Sequence, residues 1–270
     1  MLTREQIAFF HEDGYLLVEG LLTKAEAAEM RRECHDLSER LSRYQNVDAT
    51  WGSARQAVAQ AVETKLLHCH DVQFFSAAFT RLIVDERLTG AAADLIGSPN
   101  VQLHHNKMFI KPPEMGSPFP MHQDYPYFPH ERKSMIAATF FFDDAPVEKG
   151  CIRVVPGSHK LGRHPVRSEA ADQAIPVEAP KGSLLVHHGA LWHGSFGRMM
   201  PGLRIGMAYA FSRIFVTPLE AYRENVTKET LDRHPPRFAS LLGQHVPTGS
   251  TEAGPDLEKV YNAAVRSPWD

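Results

Sequence analysis

The runs VQLHHNKMFI (101–110), FPMHQD (119–124) and MIAATFFFD (135–143) are short β-rich stretches parted by Pro, Gly and polar turns. Further runs of the same texture lie at 150–155, 175–179, 183–188, 192–196 and 204–214, about eight strands in all, the number a two-sheet jelly roll requires. Working outward, residues 3–44 read as helix, short strand, helix, and each helix opens on a capping box, Thr3 with Gln6 and Thr23 with Glu26. The strand between them is Gly14-Tyr15-Leu16-Leu17-Val18, ended by Gly20. Phe74 to Gly97 holds two more helices, with Asp85 as the start signal of the second and Gly97 as its stop. Residues 45–65, which include Trp51, have no defined apolar face. After Thr217 the pattern turns helical and polar, ending in a helix near 256–266. The expected architecture is mainly β with flanking α-helices. Neither flank has a core of its own, so residues 1–270 read as one domain: a mostly helical 1–100, a β core over 101–215 and a helical 216–270.

Composition narrows the function. The chain has 270 residues, 43% of them hydrophobic, with 29 Lys+Arg against 32 Asp+Glu and a net charge of −3. No positive field exists to hold nucleic acid or an anionic membrane. Cys34, Cys69 and Cys151 form no CxxC, so neither a disulfide framework nor a structural zinc knuckle is indicated. No stretch approaches the roughly 18 apolar residues of a membrane span, and the N-terminus lacks a secretory pattern. The expectation is a soluble cytoplasmic protein.

The chemistry centres on His122-Gln123-Asp124 and on His193, sixty-nine residues later. Side chains at i and i+2 of a strand share a face, so His122 and Asp124 can aim into a barrel where a histidine from a facing strand joins them. Two imidazoles and one carboxylate make the facial triad of a non-haem Fe(II) oxygenase, leaving three positions for cosubstrate and dioxygen. With fifteen histidines in the chain, an HxD also arises by chance. Arg204 follows His193 by eleven residues. Pointing into an apolar barrel it would require an anion, and a carboxylate gripped by both arms of the guanidinium would serve. At a strand end its head would simply lie in water. Ser195, on the strand face of His193, could donate a second hydrogen bond to the same carboxylate.

His122-Gln123-Asp124, the stretch Gly150-Cys151-Ile152-Arg153-Val154-Val155-Pro156-Gly157-Ser158-His159-Lys160, and His193-Gly194-Ser195 with Arg204 resemble the phytanoyl-CoA dioxygenase family of Fe(II)/2-oxoglutarate oxygenases. Lys111-Pro112-Pro113 and the residues from Tyr125 to Pro129 fit the same pattern. The resemblance spans about residues 100–213. It implies a double-stranded β-helix core, iron held by His122, Asp124 and His193, and 2-oxoglutarate bound through Arg204 and Ser195. By rough alignment Lys107 and His70 are further candidates for contact with 2-oxoglutarate, and Gln123 for support of the ligands. The implied reaction takes O2 and 2-oxoglutarate to succinate and CO2 while hydroxylating an unactivated C–H bond.

Other residues read more modestly. His187 and His188 are structural or pocket-lining. His104 and His105 alternate faces, so at most one looks into the barrel. Phe140, Phe141, Phe142 and Trp192 are core first. The run from Arg153 to Arg167, with Lys160, Arg163 and His164 and no acid, could receive an anionic small-molecule substrate or be a solvated basic loop. The family accepts acyl-CoA thioesters, amino acids, phosphonates and natural-product skeletons, and nothing here fixes a CoA site. The protein is expected to act as a monomer or homodimer. Two other readings use the same residues: an inactive jelly-roll binding protein and a zinc-dependent hydrolase.

Overall fold

The computed structural model describes residues 2–42, 68–111, 118–126, 134–197, 199–200 and 204–244. Among them ten strands form two antiparallel sheets: β1 (Tyr15–Val18), β2 (His68–His70), β3 (Val101–Lys111), β4 (Phe119–His122), β5 (Met135–Phe141), β6 (Ile152–Val154), β7 (Ile175–Val177), β8 (Leu184–His188), β9 (His193–Ser195) and β10 (Arg204–Arg213). The larger sheet runs β1-β8-β5-β10-β3-β2 and the smaller β4-β9-β6-β7. This is the two-sheet jelly roll, and each of the eight runs read from sequence holds one strand. β1 lies where Gly14–Val18 was expected. β2 was not read, because three residues with two histidines carry no periodicity. Only its ladder with β3, Cys69 opposite Met108 and His70 opposite Lys107, makes it a strand.

Strand alternation divides the larger sheet into two faces. Ile136, Ala138, Phe140, Leu184, Val186, Met207, Tyr209 and Phe211 join the core that also takes in Phe10, Cys34 and Leu37 and the apolar side of helix Glu86–Ile96. Their neighbours Phe141 and Leu185 pack instead with Val154, Val177 and Leu191 of the second sheet and its loops. The helices start and stop as their caps dictate. Both capping boxes form, Asp85 accepts from Arg87 N at 2.8 Å, and Gly97 ends its helix at φ +70°. Gly14 ends helix Arg4–Asp13 at φ +82°, and a Cβ there would lie 2.4 Å from His159 Nδ1, so the turn into β1 requires glycine for two reasons.

Helix Arg167–Gln173 falls in a stretch that sequence left between strands; its buried Ala170 packs with Met121, Val155 and Trp192. The C-terminal flank contributes short helices Tyr222–Asn225, Lys228–Asp232 and Pro236–Leu241. The segment 45–65 and the helix expected near 256–266 lie outside the described residues, as do Pro112, Pro113 and Tyr127–Pro129.

Candidate metal centre

β4 and β9 are neighbours, and His122 stands directly opposite His193 across the ladder. The same local device orients both rings. His122 Nδ1 lies 2.9 Å from the carbonyl of Pro120, and His193 Nδ1 lies 2.9 Å from that of Leu191. A carbonyl only accepts, so each Nδ1 carries the proton and each Nε2 keeps its lone pair. Asp124 is brought up by the backbone: its N–H and that of Tyr125 both donate to the carbonyl of Gly189, at 3.0 and 2.9 Å. Asp124 Oδ1 then stands 3.7 Å from His122 Nε2 and 3.8 Å from His193 Nε2. These separations are too long for hydrogen bonds, yet the three ligand atoms lie within 4.8 Å of one another. A set of two nitrogens and one carboxylate oxygen, fixed in tautomer and held apart, could hold a divalent first-row metal ion.

The electrostatics favour the ligating protonation states. Burial, reinforced by the charge of His193, holds His122 down at about 4, and burial with the neighbouring His187 does the same for His193. Burial by itself would raise Asp124, but His193, His187, His122 and His105 outweigh it and hold the carboxyl below its ordinary value. At neutral pH the site therefore presents two neutral imidazoles and one carboxylate.

The inner face of β3 supplies the neighbouring wall. Lys107 is 3% exposed, its Nζ is 5.4 Å from the centre of the Phe109 ring, and burial lowers it to about 7. His70 is its cross-strand partner. Directly opposed residues share a sheet face, so His70 and Lys107 project to the same side. Burial, and after it the charge of Lys107, lowers His70 to about 4. His105 lies two residues before Lys107 on that face, close enough to Asp124, His70 and Lys107 to feel their charges. The strict alternation expected at His104 and His105 fails, because a bulge interrupts the β3–β10 register at this point, where Ala210 faces His105 and Phe211 faces Leu103. The two imidazoles meet, Nδ1 to Nδ1, at 2.8 Å. Re-aiming a side chain beside a site is a common consequence of a bulge.

The other residues singled out in the sequence have definite places. Ser195 is buried, and its Oγ accepts from Phe119 N at 3.2 Å. Gln123 donates to the carbonyls of Ala190 and Arg163, at 2.7 and 3.3 Å, and its Oε1 is 2.9 Å from His164 Nδ1. It thus ties the HxD segment to the turn that also holds Asp124. Arg204 opens β10 opposite Lys111; its side chain lies outside the described part. The basic run is engaged within the protein: Lys160 pairs with Glu12 and Arg163 with Glu169, while the Arg163 guanidinium also lies 4.7 Å from the centre of the Trp192 ring. His187, read from sequence as structural or pocket-lining, packs against a ligand candidate. Its ring centre is 4.0 Å from that of His193, and the signal was the period of β8, where Leu185 already points between the sheets. His188 turns the other way and accepts from Ala190 N at 3.0 Å.

Residues 10–206 match the family model for phytanoyl-CoA dioxygenase (PhyH). The human peroxisomal phytanoyl-CoA dioxygenase is 26% identical over 259 residues, which cover 86% of this chain and 75% of that protein. The ectoine dioxygenase of Nocardia farcinica is 24% identical over 257 residues, covering 84% and 83%. Among solved structures, EctD from S. alaskensis with bound Fe superposes with a TM-score of 0.67 at 20% identity, over 81% of each chain, a likeness of fold. With a jelly roll that brings His122, Asp124 and His193 together and a family match over most of its length, the chain belongs to the phytanoyl-CoA dioxygenase family of Fe(II)- and 2-oxoglutarate-dependent oxygenases.

Proposed function

We propose that this protein is a hydroxylase that oxidises an unactivated C–H bond of a small molecule. The observation that carries the reading is the pair of Nδ1-tethered imidazoles whose Nε2 atoms stand 3.7 and 3.8 Å from Asp124 Oδ1. His122, Asp124 and His193 would hold Fe(II). Bound together, iron and 2-oxoglutarate would supply the oxidation, consuming O2 and releasing succinate and CO2. The chain's own part is positional. The Pro120 and Leu191 carbonyls fix the ligand tautomers, and His187 packs against His193. Arg204 is assigned to the distal carboxylate of 2-oxoglutarate with Ser195 beside it, and Lys107 and His70 to the wall the cosubstrate meets. Gln123 is assigned to holding the ligand loop. Because Asp124 is present, its carboxylate would take a ligand position that a halide would otherwise need.

The buried cysteines Cys34, Cys69 and Cys151, none of them in a disulfide, suit a reducing compartment, in keeping with a cytoplasmic enzyme. Among the described residues no helix is long and apolar enough to cross a membrane. The deciding experiment measures succinate from 2-oxoglutarate with and without Fe(II) and O2. Formation that needs both supports the reading. Hydrolytic activity with zinc, or ligand binding without turnover, would replace it.

A further inference from the structure

Behind the His70–Lys107 wall lies a buried polar network that the proposed chemistry does not use. Asp71 follows His70 and, among the described residues, is the non-glycine residue with positive φ, at +54°. Its Oδ1 accepts from the hydroxyl of Tyr222 at 2.6 Å, and that tyrosine is 1% exposed. The next residue, Val72, donates its N–H to Asn106 Oδ1 at 3.2 Å, and Asn106 Nδ2 donates to Gln73 Oε1 at 2.5 Å. Asn106 is fully buried and sits between His105 and Lys107, turned to the opposite face of β3. The C-terminal flank is also pinned to β3 at His104, whose carbonyl accepts from Leu219 N at 2.9 Å. Each tie therefore lands next to a residue of the inner wall: Asp71 beside His70, Asn106 beside Lys107, and His104 beside His105.

Left-handed backbone at a non-glycine residue persists only where its surroundings impose it, and aspartate tolerates it better than most. Here the Tyr222 hydroxyl and the Asn106 amide impose it. We propose that Asp71 and Tyr222 are positioning residues for 2-oxoglutarate, through which the C-terminal flank fixes where His70 and Lys107 stand. The proposal rests on the cosubstrate role assigned to those two residues above.

The test is an anaerobic titration of Fe(II)-loaded full-length protein with 2-oxoglutarate, followed by visible charge-transfer absorption and by calorimetry. Fe(II) affinity and thermal midpoint are measured in parallel. Tyr222→Phe removes one hydroxyl and should weaken 2-oxoglutarate binding about fivefold, the loss of one net hydrogen bond. Asp71→Ala removes the acceptor and the left-handed tolerance and should weaken it about tenfold or more. Asp71→Asn keeps both and should stay within about twofold of wild type. Fe(II) affinity should be unchanged throughout, because His122, Asp124 and His193 are fixed by other carbonyls. Unchanged 2-oxoglutarate affinity in Tyr222→Phe and Asp71→Ala, with binding intact in wild type, overturns the positioning role alone. Parallel loss of Fe(II) affinity overturns it too, as general loosening. Failure of wild type to bind 2-oxoglutarate overturns this proposal together with the function on which it rests.

Discussion

Arg87 closes on Asp85 and Glu26 at 2.7 and 2.8 Å and reaches the carbonyl of Leu21 at 2.9 Å, whereas His122, Asp124 and His193 face one another across gaps of 3.7 and 3.8 Å. In the first cluster opposite charges satisfy each other. Bonding to Arg87, joined by the capping contacts of Thr23, drives Glu26 down to about 2, and the result is a clasp between the starts of two helices. In the second cluster the outward nitrogen of each imidazole is satisfied by a backbone carbonyl, and the inward nitrogens are held too far from Asp124 Oδ1 to bond it. Polar groups that complete each other build structure, while polar groups held just short of contact leave a place for something else.

The largest effect should come from filling or emptying that gap. His122→Ala, Asp124→Ala and His193→Ala are each expected to cut Fe(II)-dependent succinate formation by about a hundredfold or more. The thermal midpoint of the metal-free protein should hold, because the barrel is held by its apolar faces. Full activity at saturating iron in any one variant would remove that residue from the ligand set.

Next in size is the cosubstrate anchor. Arg204→Ala should raise the KM for 2-oxoglutarate by about an order of magnitude or more, and Arg204→Lys should recover only part, since an ammonium lacks the planar fork. An unchanged KM in the alanine variant places Arg204 elsewhere. A smaller effect is expected at Gln123. Removing its links to Ala190 and Arg163 in Gln123→Ala should weaken Fe(II) binding about tenfold while leaving the KM for 2-oxoglutarate near that of wild type, as read by metal titration.

Acid separates the two clusters by window. His122 and His193 sit at about 4 against an ordinary 6.5. Between those values the unfolded chain binds protons that the folded chain refuses, so the metal-free protein loses stability as pH falls from 6.5 toward 4. Glu26, lowered from 4.5 to about 2, contributes its own loss only below 4.5. The midpoint should drop by about 5 °C between pH 6.5 and 4.5, and the drop should shrink in His122→Ala/His193→Ala. Saturating Fe(II) at pH 6.5 should raise the midpoint, an advantage that fades with acid as the ligands protonate. The smallest effect belongs to the clasp. Its side chains are partly exposed, so Arg87→Ala should cost about 1 kcal/mol by urea unfolding with turnover unchanged.

The eight core strands, both capping boxes, Asp85 and Gly97 were legible because each rests on local chemistry: a period of two, a hydroxyl three residues from a carboxamide or carboxylate, a glycine where φ turns positive. The residue types and spacing of His122, Asp124 and His193 were legible too, but strand alternation does not place Asp124: β4 ends at His122, and Asp124 stands in the bend after it, held by the carbonyl of Gly189. What the sequence could not determine depends on register between distant segments. β2 exists through its pairing with β3, His104 meets His105 because a bulge breaks the alternation, and His187 reaches His193 because β8 and β9 belong to different sheets that face each other. The basic look of Lys160 and Arg163 dissolved once Glu12 and Glu169 came within reach. Side-chain period and turn chemistry are written over a few residues. Which carbonyl holds an imidazole, which acid meets a lysine and which tyrosine reaches Asp71 are settled only when the two sheets close and the flanks pack against them.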